Sequence, residues 1–171
     1  MPSFFLVWYL LYLRGDKFPL RLFFNSAKPE SDTLVSLALA LPGLLAIGLG
    51  ISFISPIFST IPIGPIIEAP QGVIPWLVMA FSCAGTGYLE ESFFRYYLLT
   101  RFATLPRAPI PGIVISAILF SLCHIYEGPW GVLNAFLAGI LMSFIFLRYG
   151  SLHGIAWAHG LYNIFVYTFG M

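Results

Sequence analysis

A chain of 171 residues that is 59% hydrophobic and only 9% charged cannot cover the surface of a soluble domain, where about a quarter of residues are charged. Its mean hydropathy of +0.90 makes lipid the main solvent. A net charge of +1 without any basic run excludes a nucleic-acid-binding patch, and two cysteines in apolar stretches, Cys83 and Cys123, give no disulfide framework.

The first apolar run, Phe4 to Leu13, is short for a full span, which needs about 20 residues. No basic residue precedes it and no small-residue cleavage site follows, so a cleavable signal peptide is not expected. A second helix is predicted from Thr33 to Ile61, with a kink at Pro42, Gly43, Gly48 and Gly50. Residues 60 to 72 form a Pro/Gly-rich loop. The third helix runs from Val73 to Leu99, and three prolines mark a turn over residues 101 to 111. A fourth covers Gly112 to Ile125 and is broken by Glu127-Gly128-Pro129. A fifth runs from Trp130 to Tyr149 and a sixth from Ser151 onward. The expected fold is therefore all-α, a polytopic membrane helical bundle of five or six transmembrane helices around an intramembrane polar cavity. It is read as one membrane domain, with N-terminal helices and loops over residues 1–72 and a core over residues 73–171.

Arg14, Lys17, Arg21 and Lys28 lie after the first run, Arg101 and Arg107 after the third helix, and Arg148 at the end of the fifth. The intervening loops contain no lysine or arginine. This alternation predicts that loops 14–32 and 101–111 face the cytoplasm, with the mixed basic and aromatic segment Lys17 to Phe24 along the interface. Small residues recur at helical spacing: Ala135, Gly139 and Ser143, then Gly154 and Ala158, and Ala156 and Gly160. Such stripes allow close helix approach in lipid, and they predict a tight hairpin of the last two helices.

Charges near helix centres are costly in a bilayer, so those present ask for a reason. Glu90 and Glu91 follow an unbroken apolar run. Glu91 and Arg95 are i and i+4, on one face, and can pair. Glu90 is rotated by about 100°, so it faces a different neighbour. A carboxylate without a cationic partner in such a site suits general acid–base work. His124 stands four residues after Phe120 on the fourth helix, and His159 four before Asn163 on the sixth. An imidazole takes a proton, orients water or binds metal, and a His/Asn pair donates hydrogen bonds to an oxyanion. Counted along the helices, His124 lies roughly 5 Å deeper than Glu90, so the fourth helix must be offset or tilted for the groups to meet. His153 is read as interfacial, Glu127 as solvated in its turn, and Cys123 as a small buried hydrophobe.

Three motifs resemble those of the CPBP family of intramembrane proteases, also called the CAAX-protease and bacteriocin-processing or Abi family. They are Glu90-Glu91-Ser92-Phe93-Phe94-Arg95 for Glu-Glu-x-x-x-Arg, Phe120 to His124 for Phe-x-x-x-His, and His159 to Asn163 for His-x-x-x-Asn. Ala138-Gly139 and Gly150-Ser151-Leu152 between them also look similar. Tyr96 stands where the family often has glycine, and His153 where proline is common. The resemblance implies a glutamate-dependent endopeptidase. Glu90 would activate water with His124, His159 and Asn163 would stabilise the oxyanion, and Glu91 and Arg95 would support them. It leaves the metal open: a reaction needing no cofactor leads, and a zinc ion held by Glu90, His124 and His159 is the alternative. The substrate would be a peptide or protein, either CAAX-type and prenylated or a peptide precursor, met within membrane lipid. Oligomeric state is not legible. A non-catalytic scaffold or bacteriocin-immunity protein binding a partner in the same cavity is the alternative function. A proton-linked transporter ranks last, since no inverted repeat is visible.

Overall fold

The structure, a computed structural model, describes residues 29–58, 69–103 and 109–170, together with Tyr9. The run Phe4 to Leu13, the segment Lys17 to Phe24 and most of loops 14–32 and 60–72 lie outside the described residues. The loop 101–111 is described only at its two ends.

Five helical rods account for the described chain. Helix α1 (Pro29–Phe58) runs unbroken through Pro42 and Pro56. Helix α2 (Val73–Glu91) passes directly into a π-helical stretch, Ser92–Leu99, and ends in the short α3 (Thr100–Ala103). Helix α4 (Pro109–Leu122) is followed by a 3₁₀ turn, Ile125–Glu127, and then by α5 (Gly128–Tyr149) and α6 (Leu152–Phe169). The boundaries follow local chemistry. Pro129 opens α5 at a position where no N–H is needed, and Gly150 closes it in the left-handed region, φ 70°. Ser151 caps α6 by accepting from the Gly154 N–H at 3.1 Å. The Thr33 and Ser151 hydroxyls, 2.8 Å apart, join the beginnings of α1 and α6.

Among the described residues three stretches are long and apolar enough to cross a bilayer: Asp32–Phe58, Val73–Phe102 and Ile125–Tyr149. Their outer faces are bare hydrocarbon, with Phe53 78% and Phe81 77% exposed. Continuous apolar surface of that kind belongs in lipid. The expected all-α membrane bundle is what the chain forms. The core is built from Leu44 of α1, Leu99, Ile113 of α4, Met142 and Phe146 of α5, and Ile155 and Tyr162 of α6.

The packing differs from the expected hairpin of the last two helices. Helices α5 and α6 scarcely touch: α6 lies against α2 and α1, and α5 against α4 and α1. The small residues serve those other crossings. A Cβ on Gly139 would stand 3.1 Å from Ala117 of α4, and one on Gly160 would stand 3.1 Å from Ala84 of α2. On the opposite side of that crossing, a Cβ on Gly87 would lie 2.6 Å from the Ala156 carbonyl oxygen. Backbone therefore meets backbone between α2 and α6, and this brings Glu90 and Glu91 within reach of His159.

The fourth helix also ends earlier than its apolar run suggests. Cys123 and His124 donate to the carbonyls of Phe120 and Ser121, three residues back, so the chain tightens out of the α-helix before His124. Cys123 is exposed rather than buried, its thiol directed to the Leu119 carbonyl oxygen.

Candidate active site

The π-helical stretch sets the first wall of the site. It starts one residue after Glu91 and carries Arg95. Its widened backbone is tied to the neighbouring rod by Ser116 of α4, whose hydroxyl donates to the Phe94 carbonyl oxygen at 2.9 Å in a buried position. Widened turns of this type recur at functional sites because they re-aim a side chain without ending the helix.

Arg95 and Glu91 are fully buried, and Nη1 of Arg95 donates to Oε1 of Glu91 at 3.1 Å. The pairing read from their spacing is present. The guanidinium also lies over the Phe120 ring, 4.4 Å from its centroid. Phe120 in turn packs edge-on to His159 at 5.9 Å and against His124 at 4.7 Å. One phenyl ring thus touches the arginine of the first motif and the histidines of the other two.

His159 bridges the two glutamates. Its Nδ1 lies 2.8 Å from Oε1 of Glu91, and its Nε2 lies 3.5 Å from Oε2 of Glu90. An ionised carboxylate only accepts, so Nδ1 carries the proton toward Glu91. Glu90 keeps 23% of its side-chain exposure where Glu91 keeps none, and its Oε2 has no hydrogen-bond partner among the described residues. Oε2 of Glu91 also lacks a hydrogen-bond partner, so what sets the two glutamates apart is access: Glu91 is fully enclosed with its Oε1 shared by Arg95 and His159, whereas Glu90 keeps part of its surface open.

His124 sits at the entry to the 3₁₀ turn, off the face of α4 on which its spacing placed it. Its Nδ1 is 3.0 Å from the Phe120 carbonyl oxygen. A carbonyl only accepts, so Nδ1 donates, and in the neutral ring Nε2 is then the acceptor.

All of these groups line one cavity of about 490 Å³. Glu90, Glu91, Arg95, His124, His159 and Asn163 are each in its wall, so every site residue expected from the sequence comes together there. Helix α1 closes one side with Leu44, Gly48, Ile51 and Ser52. Thr86, Tyr126, Glu127, Asn134, Tyr162 and Tyr167 are further polar residues of the wall. Asn134 of α5 donates from Nδ2 to the Tyr162 hydroxyl at 3.0 Å. Glu127, expected in solvent, is half-buried and lines the cavity. Asn134 was detectable in principle, as a polar residue inside an apolar helix. Glu127 was not, because its Gly-Pro surroundings read as an ordinary turn. His153, read as interfacial, lies outside the cavity wall and is half-buried, its Nδ1 2.6 Å from the Tyr88 hydroxyl.

The three residues suggested for zinc, Glu90, His124 and His159, all line the cavity. Among the described residues no three His, Cys, Asp or Glu side chains are grouped to hold a metal ion. Nδ1 of His159 is held by Glu91 and Nδ1 of His124 by a backbone carbonyl.

A family model described as type II CAAX prenyl endopeptidase Rce1-like matches residues 72–165, more than half of the chain, and contains all three motifs. No curated protein and no solved structure matches the chain. With its membrane-spanning helices and a polar cavity lined by the three motifs, the chain belongs to the Rce1-like family of type II CAAX prenyl endopeptidases, which are intramembrane proteases acting on a peptide or protein.

Proposed function

We propose that the chain cleaves a peptide bond within the bilayer using water activated by Glu90. The observation that carries this reading is the unpartnered Oε2 of Glu90, in the cavity wall and 3.5 Å from Nε2 of His159. A buried carboxylate oxygen without a donor is costly, about 1–3 kcal/mol or more, and a water molecule supplies that donor. Glu90 takes a proton from the water as its oxygen attacks the carbonyl carbon. Nε2 of His124, held as an acceptor by the Phe120 carbonyl, orients the same water. The carbonyl oxygen becomes an oxyanion and receives hydrogen bonds from Asn163 and His159. With Nδ1 committed to Glu91, His159 enters and leaves the cycle as an imidazolium between the two glutamates and donates from Nε2 without giving up its proton. Collapse of the tetrahedral intermediate expels the amine, which takes the proton first captured by Glu90.

These steps use protein groups alone. The substrate is an extended peptide segment of a membrane-associated protein. A prenylated CAAX-type C-terminus and a peptide precursor both meet that description. We place the basic loops 14–32 and 101–111 at the cytoplasmic surface, following the asymmetry of lysine and arginine.

Purified protein in lipid nanodiscs, assayed on a fluorogenic peptide panel, tests the mechanism. Glu90→Ala and Glu90→Gln should lose at least a hundredfold in kcat, the lower range for a positioned acid–base group. A strong chelator should leave wild-type cleavage unchanged. Equal cleavage by wild type and Glu90→Ala rules out the glutamate mechanism.

A further inference from the structure

The cavity does not stop at the catalytic cluster. It extends to the end of the bundle formed by the 3₁₀ turn and the last turn of α6, where Tyr126, Glu127, Tyr167 and Gly170 line it. Glu127 is the carboxylate of this mouth. It occupies the N-cap position of α5, where a carboxylate is expected to fold back onto free backbone N–H groups, but it makes no such bond. Its side chain lies along the first turn of α5 over Gly131. A Cβ on Gly131 would stand 2.3 Å from Cβ and 2.9 Å from Oε2 of Glu127. The missing side chain at Gly131 is the space the carboxylate occupies.

Aromatic faces accompany it. The Tyr126 ring lies nearly parallel to His124, at an angle of 20° with centroids 6.3 Å apart. Tyr126 and Tyr167 are both within electrostatic reach of Glu127 and Glu90. A carboxylate beside aromatic faces attracts a cation. Among the described residues three carboxylates, Glu90, Glu91 and Glu127, line the cavity against one arginine, Arg95, which is fully buried and paired with Glu91. Arg95 and His159 both converge on Glu91, at the catalytic cluster, which leaves Glu127 as the charged group of the mouth.

We infer that the mouth selects a substrate carrying a lysine or arginine side chain, held by Glu127 close to the bond to be cut. The 3₁₀ turn advances about 2 Å per residue, so Glu127 stands about 6 Å along from His124. An extended chain covers that distance in about two residues. The basic residue is therefore about two positions from the scissile bond. The inference deepens the endopeptidase reading and depends on it for that position, whereas the charge preference is a binding property that exists with or without hydrolysis.

The test uses the full chain in nanodiscs of zwitterionic lipid. End-blocked fluorescent peptides are identical except at one position, walked along the sequence, that carries Lys, Gln or Glu. Cleavage by wild type is read as kcat/KM. Binding to Glu90→Gln protein is read in parallel by fluorescence anisotropy. The expected result is a preference for Lys over Gln of about fivefold at low salt, shrinking toward unity at high salt. Adding Glu127→Gln should bring that ratio to about one. Gly131→Ala, which displaces the carboxylate while retaining it, should do the same and stands in if Glu127→Gln fails to fold. An unchanged ratio in both variants, a wild-type preference for Gln or Glu, or binding of none of the peptides overturns the inference. A Glu127-dependent binding preference without any cleavage keeps the cation site and removes the endopeptidase reading.

Discussion

Nδ1 of His159 and Nη1 of Arg95 meet at a single atom, Oε1 of Glu91, at 2.8 and 3.1 Å. One oxygen of one buried carboxylate thus holds a cation on its own helix and orients the imidazole of another. Glu91 is adjacent in sequence to the proposed base, but its task is different: it fixes which nitrogen of His159 faces Glu90.

That arrangement predicts a separation of stability from activity. Removing one member of a buried ion pair leaves an uncompensated charge and costs about 3–5 kcal/mol. Glu91→Ala and Arg95→Met should each lower stability by that amount in detergent unfolding, and both should be inactive. The double variant Glu91→Met/Arg95→Leu removes both charges and should recover most of the stability. It should remain inactive, because His159 has lost the acceptor for Nδ1. Recovery of peptide cleavage in the double variant would show that Glu91 serves packing alone.

Phe120 connects the three motifs through one ring, under Arg95 at 4.4 Å and against both histidines. Phe120→Leu retains apolar bulk and removes the π face. The expected loss of stability is about 0.5–2 kcal/mol, the range of a desolvated cation–π contact. The histidines lose a common support, so kcat should fall several-fold with little change in KM. A rise in KM at constant kcat would instead place the ring in ground-state substrate binding.

The π-helical stretch has its own anchor in Ser116, which satisfies the Phe94 carbonyl from α4. Ser116→Ala removes a buried hydrogen bond and should cost about 0.5–1.5 kcal/mol, while Ser116→Thr keeps the hydroxyl and should cost less. Thermal unfolding in detergent measures both. Amide exchange over residues 92–99 should rise in the alanine variant before exchange in α1 does, if the anchor acts locally.

The pairing of Glu91 with Arg95 and the direction of Glu90 toward a histidine were legible because helical spacing alone decides which side chains share a face. The convergence of three motifs followed from the cost of placing charge in lipid. Two features were not legible. Nothing in Ser92 to Leu99 distinguishes a π-helix from an α-helix, and the hydroxyl bonded to its Phe94 carbonyl comes from Ser116, far along the sequence. The partners of the small-residue stripes were equally hidden: Gly139 and Gly160 signal that something approaches closely, but periodicity cannot say which helix. The expected depth offset of His124 was an effect of the same kind. It assumed helix ends at Leu99 and Gly112, whereas the rods run on to Ala103 and back to Pro109, and His124 lies beyond the end of α4.

The crossing of α2 and α6 sets the distance between the glutamates and His159, and Gly87 sets the crossing. A Cβ at Gly87 would lie 2.6 Å from the Ala156 carbonyl oxygen and 3.0 Å from the Gly160 nitrogen, both backbone atoms that cannot rotate away. Gly87→Ala should therefore push the helices apart, at a cost of about 1–3 kcal/mol from overpacking. The same displacement stretches the 2.8 Å bond between Glu91 and His159, so cleavage should fall further than stability does. Gly85 provides the control on the same helix, since a Cβ there meets nothing within 4 Å. Gly85→Ala should be neutral or stabilise by up to about 1 kcal/mol through helix propensity, with cleavage retained. Paired unfolding and cleavage measurements on the two variants check the assignment. Equal effects at the two positions would mean that helix propensity, and not the α2–α6 contact, governs this region.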